Sequence, residues 1–417
     1  MEAVSLNSDA QLISDTTTPG TNVRMKLWLA SPIGAAFLLS MAHGLNDMYN
    51  GFLGALMPVL MQHFGFTLAL AGVLAAIGNV STSFFQPIFG YALDRSSKRP
   101  NMFIWPMITA CAMCSIGFVP NVAVMVPVLV IAGLSTAAFH PHASSQVPSH
   151  TSSAGLAMAL FISGGTVGFA LGPLVSLSVV KVLGLRGLWV LVIPTALVCM
   201  LAMRAVPQSK VTASPGTAPR ISLALDRDRI RAVGAIWLIV VLRSTVGTSF
   251  TAFMSVHLSQ IGFPLVLIGV GLMLHTIAGA AGSIVGGWLS DRIGRKTVII
   301  LGLLGIMPAY LILIRSTGSL IWLMLPICGF LMSSFNPVTV VMAQQMFPHN
   351  RGAASGLIMG LGWSVGGFLL SVVGALADKF GLQTTLSWVT VLIVPALFIA
   401  RTLPGSFMKK DVHPVSQ

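Results

Sequence analysis

His43, Asp47 and Asn50 stand at i, i+4 and i+7 inside an apolar run from Ile33 to Met61. In a helix they share one face. The run is long enough to cross a bilayer, and an ionisable side chain at that depth is costly unless it carries a proton, an ion or a substrate. Of the ten acidic residues in the chain, only Asp47 falls within a predicted span. The others lie in the tails, the central hydrophilic segment, the loops or, for Asp378, at a helix end. The pattern predicts proton uptake and release by Asp47 with His43 beside it, and offers Asn46 and Asn50 as amides for substrate. The competing reading is a structural aspartate bonded permanently to neighbouring helices.

Arg243 is the one lysine or arginine inside a span. A guanidinium stays charged and forks onto carboxylate or phosphonate, so Arg243 is a candidate for an anionic substrate. A buried pair with Asp47 is the structural alternative. His140 and His142 flank Pro141, where a proline bend turns polar groups toward a cavity. Asn336 and Gln344 are candidates for the opposite wall. No histidine spacing makes a metal site, and no cofactor motif is present. Cys111 and Cys114 form C-x-x-C inside an apolar run and read as packing.

These residues need a membrane scaffold to hold them. The chain has 417 residues, 55% of them hydrophobic and 8% charged, with a mean hydropathy of +0.89. Such values belong to an integral membrane protein. Six apolar runs lie between Ile33 and Met203 and six between Ala232 and Ala400, leaving no room for a separate soluble domain. The fold class is therefore all-α with twelve transmembrane helices. Residues 1–26 read as a polar cytoplasmic tail, 27–206 as one six-helix half, 207–231 as a cytoplasmic linker, 232–404 as the second half and 405–417 as a second tail.

The net charge of +13 raises the question of a nucleic-acid partner. With the N-terminus inside, eighteen lysines and arginines fall in the termini and inner loops and four in the outer loops. This bias follows the positive-inside rule, explains the charge without nucleic acid, and places both termini in the cytoplasm.

The halves repeat at an offset of about 197 residues. Gly65-Phe66 matches Gly262-Phe263, Gly90 with Asp94-Arg95 matches Gly287 with Asp291-Arg292, and Phe139-His140-Pro141 matches Phe335-Asn336-Pro337. Parallel repeats place a substrate path at their interface near mid-membrane.

With these markers the chain resembles the major facilitator superfamily. Gly287-Trp288-Leu289-Ser290-Asp291-Arg292-Ile293-Gly294-Arg295-Lys296 fits its G-x-L-x-D-R-x-G-R-K loop, and the copy from Gly90 has Ser97 where glycine is usual. The resemblance implies a conformational latch at Gly90, Asp94, Arg95, Gly287, Asp291, Arg292, Gly294 and Arg295. Within the superfamily, His43-Gly44-Leu45-Asn46-Asp47-Met48-Tyr49 and Phe139-His140-Pro141-His142 are similar to the fosmidomycin resistance protein group. Gly168 to Pro173 is similar to the start of the antiporter motif, with Ser176 and Leu177 in place of two glycines.

The resemblance implies a monomeric transporter in a bacterial inner membrane, moving a small anionic or amphiphilic compound by alternating access. Its partners are protons, the small-molecule substrate and the lipid bilayer. Proton-linked uptake of an organic anion is the second reading. A receptor or enzyme on the same scaffold is the third and lacks any supporting motif.

Overall fold

The computed structural model describes residues 32–95, 100–147, 154–206, 227–347, 354 and 356–404. The tails and linker residues 207–226 lie outside the described residues. Among the described residues, ten helices are long and apolar enough to cross a membrane. The other two passages are the first, Pro32–Asn50 followed by Phe52–Phe64, and the third, Ile104–Phe118. They complete twelve spans in two sets of six.

Five spans expected as single helices are broken. The first breaks at Gly51, the second divides into Leu68–Ser83 and Gln86–Arg95, the tenth into Leu320–Ser333 and Asn336–Met346, the eleventh at Leu369, and the twelfth into Leu382–Thr390 and Ile393–Thr402. Pro87 and Pro337 sit just past the breaks in the second and tenth spans, where a missing N–H and a ring clash oppose a continuous helix. Neighbouring spans take up carbonyls that prolines leave without a helical partner. Pro58 cannot donate to Gly54, and Ser255 Oγ of the seventh span donates to that carbonyl instead. Pro337 likewise leaves Ser333, whose carbonyl accepts from Ser283 Oγ at 3.0 Å. In an apolar medium each such carbonyl would otherwise go unsatisfied.

The repeat read from the sequence is present as geometry. Gly90 faces Pro141 in one half, and Gly287 faces Pro337 in the other. Between the halves, the Gly54 backbone lies against Thr251, 197 residues on. Gly72 of the second span packs on Leu370 of the eleventh, and Gly269 of the eighth packs on Leu174 of the fifth. A side chain at any of these three glycines would collide with backbone across the interface.

Connectivity puts Pro32 and Thr402 on one side of the bundle and the Phe64 to Leu68 turn on the other. The contacts of Gly72 and Gly269 therefore hold the halves together on the side away from the termini. There the Asp378 carboxylate, at the end of the eleventh span, accepts from the backbone N–H of Leu68 at 2.9 Å and of Ala69 at 2.8 Å. One half thus caps a helix of the other.

Candidate functional site: a His-Asp-His cluster beside a central cavity

Small residues bring the fifth span onto the first. Gly164 and Gly168 lie against the backbone of Ser40 and Gly44, and Gly172 lies against Met48 and Gly51. Close approach of this kind is what small residues four apart permit. It brings Phe161 to His43, with the rings stacked at 4.1 Å and His43 Nδ1 2.7 Å from the Phe161 carbonyl oxygen. Gly165 leaves the space that the imidazole fills. From the opposite direction the Tyr49 hydroxyl donates to the Leu191 carbonyl at 2.7 Å, fixing the first span to the sixth.

Asp47 sits between two histidines. Its Oδ2 is 3.1 Å from His43 Nε2, and its Oδ1 is 2.9 Å from His140 Nε2. Oδ1 also accepts from Asn46 Nδ2 at 3.0 Å and, more weakly, from Asn50 Nδ2 at 3.4 Å.

Acceptor chemistry places the hydrogens. A carbonyl oxygen can only accept, so His43 Nδ1 carries a hydrogen for Phe161. In a neutral imidazole His43 Nε2 would then be a bare acceptor facing a carboxylate oxygen at 3.1 Å, with nothing between them. The contact is favourable only if it holds one further proton, on His43 as imidazolium or on Asp47 as the acid. The pair thus shares one proton.

His140, unlike Asp47, lines a cavity of about 420 Å3 between the halves. Such a volume suits a small organic molecule. Asn50, Asn79 and Gln86 supply amides to its wall, and Phe169 and Trp363 supply aromatic surface. No lysine, arginine or acidic side chain lines it among the described residues. His140 is therefore the titratable group of the cavity wall that meets Asp47, beside the amide of Asn50, which reaches the same carboxylate oxygen.

The remaining predicted residues fall elsewhere. Arg243, at the repeat position of Asn46, makes no ion pair with Asp47; Nη1 donates to the Met332 carbonyl at 2.7 Å and the guanidinium lies over the Phe335 ring at 5.7 Å. Met332 belongs to the last turn before the break in the tenth span, where carbonyls lack helical partners and the helix end is negative. The sequence shows the charge but not that a broken helix would claim it. Asn336 heads the helix after the same break, and its carbonyl accepts from Thr339 Oγ1 at 2.8 Å. His142 is buried and Gln344 half-buried, and neither lines the cavity.

Of the latch residues, Gly294 forms the tight turn with φ +90°, where a side chain would be strained. Arg295 opens the next helix, and Arg292 stacks on Trp288 at 3.6 Å. Asp291 is exposed and has no ion pair among the described residues. Gly90 is half-buried beside Pro141, while the side chains of Asp94 and Arg95 lie outside the described residues.

Sequence reasoning passed over Gln86, Phe161 and Gly165. Gln86 left a trace, an amide just before Pro87 in an apolar run. Phe161 acts through its carbonyl, which no residue type reveals. His43, Asp47 and His140 also form the one described group able to hold a metal ion, their ligand atoms lying within 4.8 Å of one another. The shared proton accounts for the same contacts.

A sequence model of the Major Facilitator Superfamily matches residues 39–371. The chain belongs to this superfamily. It is thus a membrane transporter and not an enzyme. The superfamily member is 27% identical over 354 residues to the fosmidomycin resistance protein of Escherichia coli strain K12, covering 83% of this chain and 86% of that one. It is 28% identical over 398 residues to an uncharacterized MFS-type transporter, YfnC, of Bacillus subtilis strain 168, covering 90% and 94%. A 144-residue stretch is 26% identical to the multi-drug resistance efflux pump PmrA of Streptococcus pneumoniae, covering 33% and 35%.

Among solved structures, the nucleoside transporter NupG superposes with a TM-score of 0.74 at 15% identity, covering 88% of this chain and 99% of that one. A bacterial homolog of the human lysosomal transporter Spinster, inward-facing and occupied, gives 0.73 at 14% identity, covering 88% and 95%. These likenesses concern the fold.

Proposed function

We propose that the chain is a proton-coupled exporter of small amphiphilic compounds, fosmidomycin-like anions among them, working as a monomer in a bacterial inner membrane. The observation that carries the reading is the His43 to Asp47 contact, which needs one exchangeable proton and meets the described wall of the central cavity through one titratable side chain, His140. The lysine and arginine bias favours cytoplasmic termini, which makes the cavity of this structure face the cytoplasm.

Substrate enters from that side, with its polar groups on Asn50, Asn79 and Gln86 and its apolar part on Phe169 and Trp363. A negative group is met by His140 when it is protonated, no lysine or arginine lining the cavity among the described residues. Parting of the contacts around Gly72, Gly269 and Asp378 then opens the far side. The likeness to the fosmidomycin resistance protein over most of both chains supports export of that class of compound. Arg243 contributes by holding the break in the tenth span.

One feature favours uptake by symport as a second reading. An anion held by a protonated His140 would travel with its proton. Proteoliposomes separate the two: fosmidomycin accumulating in vesicles with an acidic lumen identifies exchange, and accumulation driven by an acidic exterior identifies symport. Absence of flux under either gradient, for fosmidomycin and a panel of amphiphilic compounds, would overturn proton-coupled transport. Asp47→Asn keeps the shape of the carboxylate and removes the proton site. It should abolish gradient-driven flux while substrate still binds, and retained coupled flux would remove Asp47 as carrier.

A further inference from the structure

Pro87 breaks the second span, and Gln86, heading the helix that follows, turns its amide into the cavity wall. Gln86 Nε2 lies 3.1 Å from the Thr82 carbonyl oxygen and 3.2 Å from His140 Nδ1. Because a carbonyl only accepts, the nitrogen and not the oxygen of the amide must face Thr82. An amide nitrogen has two hydrogens, and the second points at His140 Nδ1. Nδ1 is then an acceptor, and the hydrogen of neutral His140 sits on Nε2, directed at Asp47 Oδ1 at 2.9 Å. The titratable side chains that face His140 are Asp47 and His43, both from the first span, the His43 ring centroid lying 5.1 Å away. Among the described residues, the second span presents the neutral Gln86 to it.

This arrangement closes a route. For a proton to pass from the cavity to Asp47, one must arrive at His140 Nδ1 while another leaves Nε2 for the carboxylate. The lone pair at Nδ1 is occupied as long as Gln86 donates to it. We propose that Gln86 is a substrate-operated gate of the proton relay: a hydrogen-bond acceptor on the bound substrate, such as a carbonyl or phosphonyl oxygen, draws the Gln86 amide away and opens His140 Nδ1 to proton exchange with cavity water. Loading gains one proton at Nδ1 from that water and passes one from Nε2 to Asp47; release, the direction that exchange for substrate requires, runs the same transfer in reverse, Nε2 taking the proton of Asp47 as Nδ1 gives one to water. Gln86 is a positioning residue here, acting through His140. The inference rests on the reading of Asp47 as proton carrier.

The test is proton flux into proteoliposomes, followed with a pH-sensitive dye in the absence of any substrate. Wild-type protein should be tight. Gln86→Leu fills similar space and cannot occupy Nδ1, so it should leak protons at least about tenfold faster, a change equivalent to about 1.4 kcal/mol in the barrier. The leak should vanish in the double variant with Asp47→Asn. Gln86→Glu offers an acceptor that holds a hydrogen on Nδ1, so its transport should persist to a pH about one unit higher, about 1.4 kcal/mol. A merely structural Gln86 would lower substrate-driven flux in both variants with no leak and no displaced pH profile, and that result would overturn the gate. Should Gln86→Leu fail to fold, the Gln86→Glu pH profile decides alone. Loss of the carrier role is read separately, from coupled flux surviving in Asp47→Asn.

Discussion

His43 occupies a slot that one missing methyl group creates. A Cβ on Gly165 would land on the imidazole ring, so Gly165→Ala should push His43 away from both the Phe161 carbonyl and Asp47. Gradient-driven transport should fall while the protein still inserts and binds substrate, as tested by flux and ligand-binding measurements on the same preparation. Arg243 gives the contrasting case. Its charge serves the Met332 carbonyl and the Phe335 ring. Removing one partner of a buried charged hydrogen bond costs about 1–3 kcal/mol or more. Arg243→Gln should therefore lower the thermal unfolding temperature in detergent and change substrate affinity less than His140→Ala does. A larger affinity loss in Arg243→Gln would place the arginine in the substrate path.

At the scale of elements, broken helices are stitched by their neighbours. Ser255 serves the carbonyl that Pro58 leaves at Gly54, and the backbones of the first and seventh spans touch at Gly54 and Thr251. Ser255→Ala would leave that carbonyl without its partner, at about 1–3 kcal/mol. The expected result is a lower unfolding temperature, partly restored in the double variant Pro58→Ala/Ser255→Ala because the helix can then supply its own N–H. If the double variant is no more stable than the single one, the stitching account fails.

The whole molecule is held in one arrangement by contacts on the side away from the termini. Gly72 and Gly269 are related by the repeat, and so are the neighbours they meet, Leu370 and Ser371 for the first and Pro173 and Leu174 for the second. The cap is not symmetric: Asp378 serves Leu68 and Ala69, whereas its repeat position in the first half is Lys181, which cannot accept a hydrogen bond. One half alone therefore carries the far-side clasp. A helix cap contributes about 0.5–2 kcal/mol, enough to move a two-state population by about twofold to about thirtyfold. Asp378→Ala should shift the population toward the far-side-open state. Spin-label distances between Thr67 and Phe380, which flank the clasp, should gain a longer component, and an unchanged distribution would assign the clasp no part in the equilibrium.

Twelve spans, two halves and the isolation of Asp47 were legible in the sequence because each depends on composition along the chain. An apolar stretch of about 20 residues must cross the bilayer as a helix whatever its neighbours are, and a repeated pattern must fold twice in the same way. Sharing of a face by His43 and Asp47 follows from helical geometry alone. The identity of Asp47's further partner was decided elsewhere. Depth alone matched it with Arg243, but packing of the fourth span brought His140 to it, and the break before Pro337 gave Arg243 a carbonyl. A guanidinium or imidazole goes to whichever acceptor tertiary packing brings within about 3 Å, and hydrogen bonds lose their strength within a fraction of an ångström beyond that. Sequence spacing has no such resolution between helices. That is why the carboxylate could be found in the sequence, while the proton it shares and the amide that guards its relay appear only in the folded molecule.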